Sequence, residues 1–186
     1  MVPVRAGLAQ NPPAPPPAPA PAPAPRPAPT TQSAQVDCNW LSVDSTSKTA
    51  TFQLTAGLTA FNSALNFNGF KDGGLTLTVP MNWNVVIPFT NHDANLMHSA
   101  EIIDTVKPMP ARPVDPAFPH AATTRLDQGI AFEGKDTIRF TANKAGSYLM
   151  FCGVPGHALA GMWIRFRVSA TEKQPTLTAT GAAGGR

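Results

Sequence analysis

Cys152, His157 and Met162 follow one another at intervals of five residues in the stretch "FCGVPGHALAGMW". A thiolate, an imidazole and a thioether converging on one point suit copper better than zinc or calcium. Two other readings compete. A Cys near a His can be a nucleophile with its base. The stretch can also be a glycine-bearing turn whose Cys and Met fill the core and whose His faces solvent. The regular spacing within one strand–loop–strand unit favours the metal. Alternation in "GSYLMFC" puts Tyr148, Met150 and Cys152 on one face, so Cys152 ends a strand pointing inward. "MWIRFRV" puts Met162, Ile164, Phe166 and Val168 together, so Met162 opens the next strand on its inner side. Gly153, Gly156 and Gly161 allow the tight loop that folds His157 back toward Cys152.

A copper electron-transfer site of this kind takes two His, one Cys and a weak axial Met. The second histidine must come from outside the stretch. The chain has His92, His98, His120 and His157. His98, in the strand-like "LMHSAEII", is the candidate. His92 lies in the turn-like "TNHDAN" and His120 in a proline-rich segment, and both are expected at the surface. Gly153, not a histidine, follows Cys152, and there is no His-x-His pair. The linked copper centres of a nitrite reductase or multicopper oxidase are therefore missing. A binuclear centre needs two nearby cysteines, and Met150–Met162 has one. These residues describe one redox centre: an electron carrier and not an enzyme.

The elements that must position these donors are short strands. "TATFQL" places Ala50, Phe52 and Leu54 on one face, "LTLTV" places Leu75, Leu77 and Val79, and "WNVVIPF" places Trp83, Val85, Ile87 and Phe89. Period-two runs broken by turn residues predict an all-β sandwich or barrel. "KDGG" and "NKAG" are turns. Lys107–Thr124, with five prolines, is expected as a long surface excursion. The 186 residues suffice for one ordinary domain. The predicted division is a Pro/Ala-rich arm over 1–35, a copper-binding domain over 36–170 and a flexible tail over 171–186.

The arm holds 11 of the chain's 21 prolines in "PPAPPPAPAPAPAPRPAP". Such a run is either a disordered tail or a stiff polyproline-II spacer, reaching about 50–60 Å when extended. "AGLAQ" at 6–10 resembles the end of an export signal without the apolar region that should precede it. The net charge of +3 is small and scattered, which argues against nucleic acid. No apolar run approaches the roughly 18–20 residues needed to span a bilayer. Cys38 and Cys152 could form at most one disulfide. Cys38, in the strand-like "VDCNWLSVD", is expected to be a buried small residue and not a partner of Cys152.

Cys-x4-His-x4-Met, with "HS" at His98–Ser99, "LNFNGF", "LTVPMNWNVVIPFTN" and "FCGVPGHALAGMWI", resembles the cupredoxins, the small blue copper proteins, and most of all their sulfocyanin and rusticyanin branch. The resemblance covers about 36–168. It implies an eight-strand Greek-key β-sandwich and one copper ion bound by His98, Cys152, His157 and Met162. It also implies one-electron transfer in the periplasm or another exported compartment, at the membrane surface, with a cytochrome, an oxidase or a photosynthetic reaction-centre complex as redox partner. Ser99 is placed to tune the sulfur. His157 is the expected electron port, ringed by Val154, Pro155, Ala158, Leu159 and Ala160. The alternative is a structural or docking subunit of a membrane redox or photosynthetic complex, anchored by the arm, with copper incidental or absent. Copper delivery fits less well, because delivery sites are open and rich in Met or His.

Overall fold

The computed structural model describes residues 36–180, so the arm and the "AGLAQ" segment lie outside the described residues. The alternating runs form ten strands: β1 (Leu41–Asp44), β2 (Thr49–Phe52), β3 (Leu54–Ala56), β4 (Leu75–Pro80), β5 (Asn84–Asn91), β6 (Glu101–Asp104), β7 (Lys135–Thr141), β8 (Gly146–Phe151), β9 (Trp163–Ser169) and β10 (Thr176–Ala179). The eight-strand expectation is low because β2 and β3 are two pieces broken at Gln53 and β10 is an addition. Both pieces run parallel to β5, β2 along its first half and β3 along its last residues.

Two five-stranded sheets result. In one, β5 is flanked by β2 and β3 on one side and β7 on the other, with β1 outside β2. The other runs β10–β4–β9–β8–β6. Chain neighbours are seldom sheet neighbours in the second sheet, which is the crossing pattern of a Greek-key sandwich. The predicted inward residues of the "TATFQL", "LTLTV", "WNVVIPF" and "MWIRFRV" runs all lie in one buried cluster between the sheets. Tyr148, Met150 and Cys152 join it. The strand parity that assigns Cys152 to the inner face therefore holds.

Three expectations need correction. The small, polar sequence after residue 170 predicts a flexible tail, yet Thr176–Ala179 pair antiparallel with Leu75–Thr78 as β10. Its Thr-Leu-Thr-Ala alternation fits an edge strand, and a run this short gives little periodicity to read. Cys38 is exposed, in a short 3₁₀ turn (Cys38–Trp40) capped by the Asp37 carboxylate. Both cysteines are free. The excursion after β6 is not wholly superficial: Phe118 is buried and packs against Phe140, Tyr148 and Phe166. The excursion is also tied to β6, where the Ala117 and Ile102 amides donate to Ile102 and Ala121 carbonyls. Among the described residues no helix is long and apolar enough to cross a membrane.

Candidate metal centre

Cys152 immediately follows β8 and is buried. Its amide donates to the Met162 carbonyl at 3.1 Å, so β8 and β9 stay in register as the loop between them opens. The loop is a succession of tight turns. The His157 amide donates to Val154, and the Met162 amide donates back to His157, each at 3.1 Å. Gly161 adopts φ +93, a backbone conformation that L side chains rarely adopt, which is why glycine stands there. Gly153 is closed in by the Leu126 carbonyl and Pro113. The excursion thus presses on the loop from outside, and the Gly156 amide donates to the Ala111 carbonyl.

His98 arrives from a different part of the chain. It lies three residues before β6 and is held by an isolated bridge to Ile130, with amide–carbonyl bonds in both directions. Asn91, at the end of β5, donates through Nδ2 to the carbonyls of Leu96 and Ile130 and fixes the intervening turn. The same turn carries Asp93, whose Oδ2 is 3.0 Å from His98 Nε2. That bond leaves His98 Nδ1 to face inward.

Three donor atoms then meet. Cys152 Sγ is 3.5 Å from His157 Nδ1 and 4.0 Å from His98 Nδ1, and all three atoms lie within 4.8 Å of one another. A first-row metal with bonds of about 2.0 Å to nitrogen and 2.3 Å to sulfur, in one plane, sets those N···S separations near 3.8 Å. The two observed distances bracket that value, so the donors fit one metal ion. Met162 is fully buried and is bound through its backbone to both Cys152 and His157. Sequence reasoning puts His98, Cys152, His157 and Met162 at one site. The structure clusters the first three donor atoms and ties Met162 to two of them through the backbone. His92 and His120 are exposed, and His92 pairs with Glu133 at 2.9 Å.

The electrostatics are those of a dry site. Burial pushes the Cys152 thiol up, and the Ser99 amide, 3.4 Å from Sγ, partly offsets this. Burial also lowers His98, against the opposing pull of Asp93. His157 falls to about 4, first because it is desolvated and then because His98 is near. Both imidazoles are therefore neutral at pH 7, with lone pairs free for a metal. Burial works to raise Asp93, but bonds from the Asn95 amide, the His98 ring and the Leu96 amide outweigh it, so Asp93 stays a carboxylate. Ser99 Oγ donates to the Leu126 carbonyl at 2.7 Å and accepts from the Gly153 amide at 3.0 Å, which locks the backbone around the sulfur.

Two residues escaped the sequence reading. Asp93 braces His98 across a turn, and no spacing rule points to such a pair. Glu101, three residues after His98, is fully buried, accepts one bond from the Val114 amide, and has Oε2 without a partner. A Glu inside the apolar run "EII" is the signal that could have marked it.

The description "Sulfocyanin (SoxE) domain" belongs to the family model that matches residues 36–179. Sulfocyanin of Sulfolobus acidocaldarius is 27% identical over 128 residues, which are 64% of this chain and 63% of that protein. The chain thus spans under two thirds of that relative's length. Rusticyanin from Thiobacillus ferrooxidans is 26% identical, with a TM-score of 0.50 over 75% of this chain and 88% of that one. A methionine-to-glutamine variant of rusticyanin is 25% identical, with a TM-score of 0.53 at the same coverage.

Proposed function

We propose, from the premise that the chain belongs to the sulfocyanin (SoxE) family of cupredoxins, that it is a mononuclear blue copper carrier passing single electrons between redox proteins on the exported side of a membrane. In this reading His98, Cys152 and His157 would hold the copper, with Met162 as the fourth, weaker donor. The observation that carries it is the meeting of one buried thiol with two imidazole Nδ1 atoms 3.5 and 4.0 Å away. Copper bound there supplies one-electron exchange between its +1 and +2 states. The chain's part is to hold the donors still. Asp93 fixes the tautomer and the plane of His98, because a carboxylate at Nε2 keeps the proton there and frees Nδ1. The Ser99 amide directs an N–H at Sγ and draws charge from the sulfur. Burial of Cys152 and Met162 excludes water and favours the less charged reduced site.

His157 is the half-buried member of the set. Beside it Leu159 is 60% exposed, and Pro155 and Ala160 also face solvent. A small apolar patch around a ligand edge is enough for a weak, short-lived redox complex. Carriage and not turnover is the role in this reading. What supports it is that, among the described residues, His98, Cys152 and His157 form one cluster of metal-binding size. A reductive titration of the copper-loaded protein should consume one electron per copper and reverse fully. Two electrons per copper, or steady consumption of dioxygen, would contradict the assignment. Cell fractionation followed with an antibody tests the exported location, and recovery with cytoplasmic proteins would refute it.

A further inference from the structure

On the outer face of the β10–β4–β9–β8–β6 sheet, opposite the face that carries Cys152 and Met162, lies a groove of about 450 Å3. Small-molecule sites have this scale and this character, an apolar floor with a few placed polar groups. The floor is Leu149 from β8, Trp163 from β9, and Val106 and Met109 from the segment after β6. Three cations border it: Lys107 on one wall, and Arg165 and Arg167 along β9. No Asp or Glu lines the groove, and none of the three cations is in an ion pair among the described residues. Arg165 is already engaged. Its guanidinium lies 5.6 Å from the Trp163 ring centroid and donates to the Gly73 carbonyl. Arg167 and Lys107 are exposed and, among the described residues, have no side-chain hydrogen bond. Three cations beside an apolar trough repel one another, and an anion with an apolar body relieves both faults at once.

We propose that this groove binds one monomer of an amphiphilic anion, its chain on Leu149, Met109, Val106 and Trp163 and its carboxylate or phosphate head between Arg167 and Lys107. Charge complementarity and concavity select this occupant. The chain's own Pro/Ala segment has Arg5 and Arg26 and no acidic residue over positions 1–35, so it would add positive charge to a positive groove. The site does not depend on copper.

Calorimetric titration of the full chain with decanoate and with decyl phosphate, both below their micelle concentrations, tests the inference. One-to-one saturable binding is expected, at least about tenfold tighter than for uncharged decyl maltoside, since one charge-assisted contact contributes about that factor. Arg167→Glu and Lys107→Glu should each weaken it by about tenfold. Ser147→Phe, which fills the groove from exposed β8, should abolish it. Copper uptake in these variants should match the wild type, which reports that they fold and separates this test from that of electron carriage. Equal affinity for decyl maltoside would overturn the proposal. So would hexa-aspartate binding as tightly as decanoate, charge variants that bind like the wild type, or adsorption to anionic vesicles without monomer binding.

Discussion

His98 and His157 present the same atom, Nδ1, to the same sulfur, and the chain holds them in opposite ways. His98 is 0% exposed and is anchored by the Asp93 carboxylate, by the bridge to Ile130 and, through that turn, by Asn91. His157 is half-buried, sits in a loop of turns and, among the described residues, has no carboxylate on its second nitrogen. One proposed ligand is part of the scaffold. The other is the place where the scaffold opens. A carrier needs both, because rigid donors keep rearrangement on electron transfer small, while an outside partner must come within reach of one of them.

The largest effect that would break this contrast is on stability without metal. His98→Ala should cost the metal-free protein about 3 kcal/mol, because it removes a buried ring and strands the Asp93 carboxylate. His157→Ala should cost less than about 1 kcal/mol, since the ring is part-exposed and no carboxylate depends on it. Equal losses in urea unfolding would erase the distinction between anchored and open ligand.

The anchored side carries its own penalty in Glu101. Burial raises its carboxyl to about 7, with the Val114 amide working against the shift and Asp115 with it. In the unfolded chain the group titrates near its usual value of about 4.3. Between these two values the folded protein holds a proton that the unfolded chain has released, so stability falls as pH rises through that window and levels off above pH 7. The loss should be about 3–4 kcal/mol. Glu101→Gln should flatten the profile, as unfolding midpoints at pH 4 and pH 8 will report. An unchanged slope in the variant would place the titration elsewhere.

Asp93→Asn is a gentler test of the brace. The amide oxygen can still accept from backbone, but it holds the His98 ring less firmly. A loss of about 1 kcal/mol in the metal-free protein is expected, with a shifted copper potential at constant copper content. No shift in potential would reduce Asp93 to a turn residue.

Leu159→Lys should leave stability and the copper spectrum as they are. It should slow electron self-exchange between oxidised and reduced molecules by about tenfold, because two like charges would meet at the His157 face. Line broadening in mixed samples measures this. An unaltered rate would move the port away from that loop.

The loop half of this contrast was legible in the sequence and the anchored half was not. Cys152, His157 and Met162 are neighbours in the chain, so strand parity and three glycines locate them together with no tertiary information. His98 could be chosen by its strand-like setting and by family resemblance, but its support could not. The Asp93 bond depends on a turn that Asn91 pins to Ile130, 39 residues further along the chain. Cys38 misled because "VDCNWLSVD" alternates like a strand, while the Asp37 cap starts a 3₁₀ turn there. Phe118 misled because prolines on both sides mark a loop, and loops sometimes plug a core. β10 was hidden by a composition of Thr and Ala that suits an edge strand and a tail equally.

The most direct test is copper uptake by the full chain, measured as metal content together with visible absorption, for the wild type and for Cys152→Ser. The wild type should take up one copper and turn intensely blue on oxidation through thiolate-to-copper charge transfer, and Cys152→Ser should lose that band entirely. A wild type that stays colourless with copper present, or a blue band that survives in Cys152→Ser, would contradict the site.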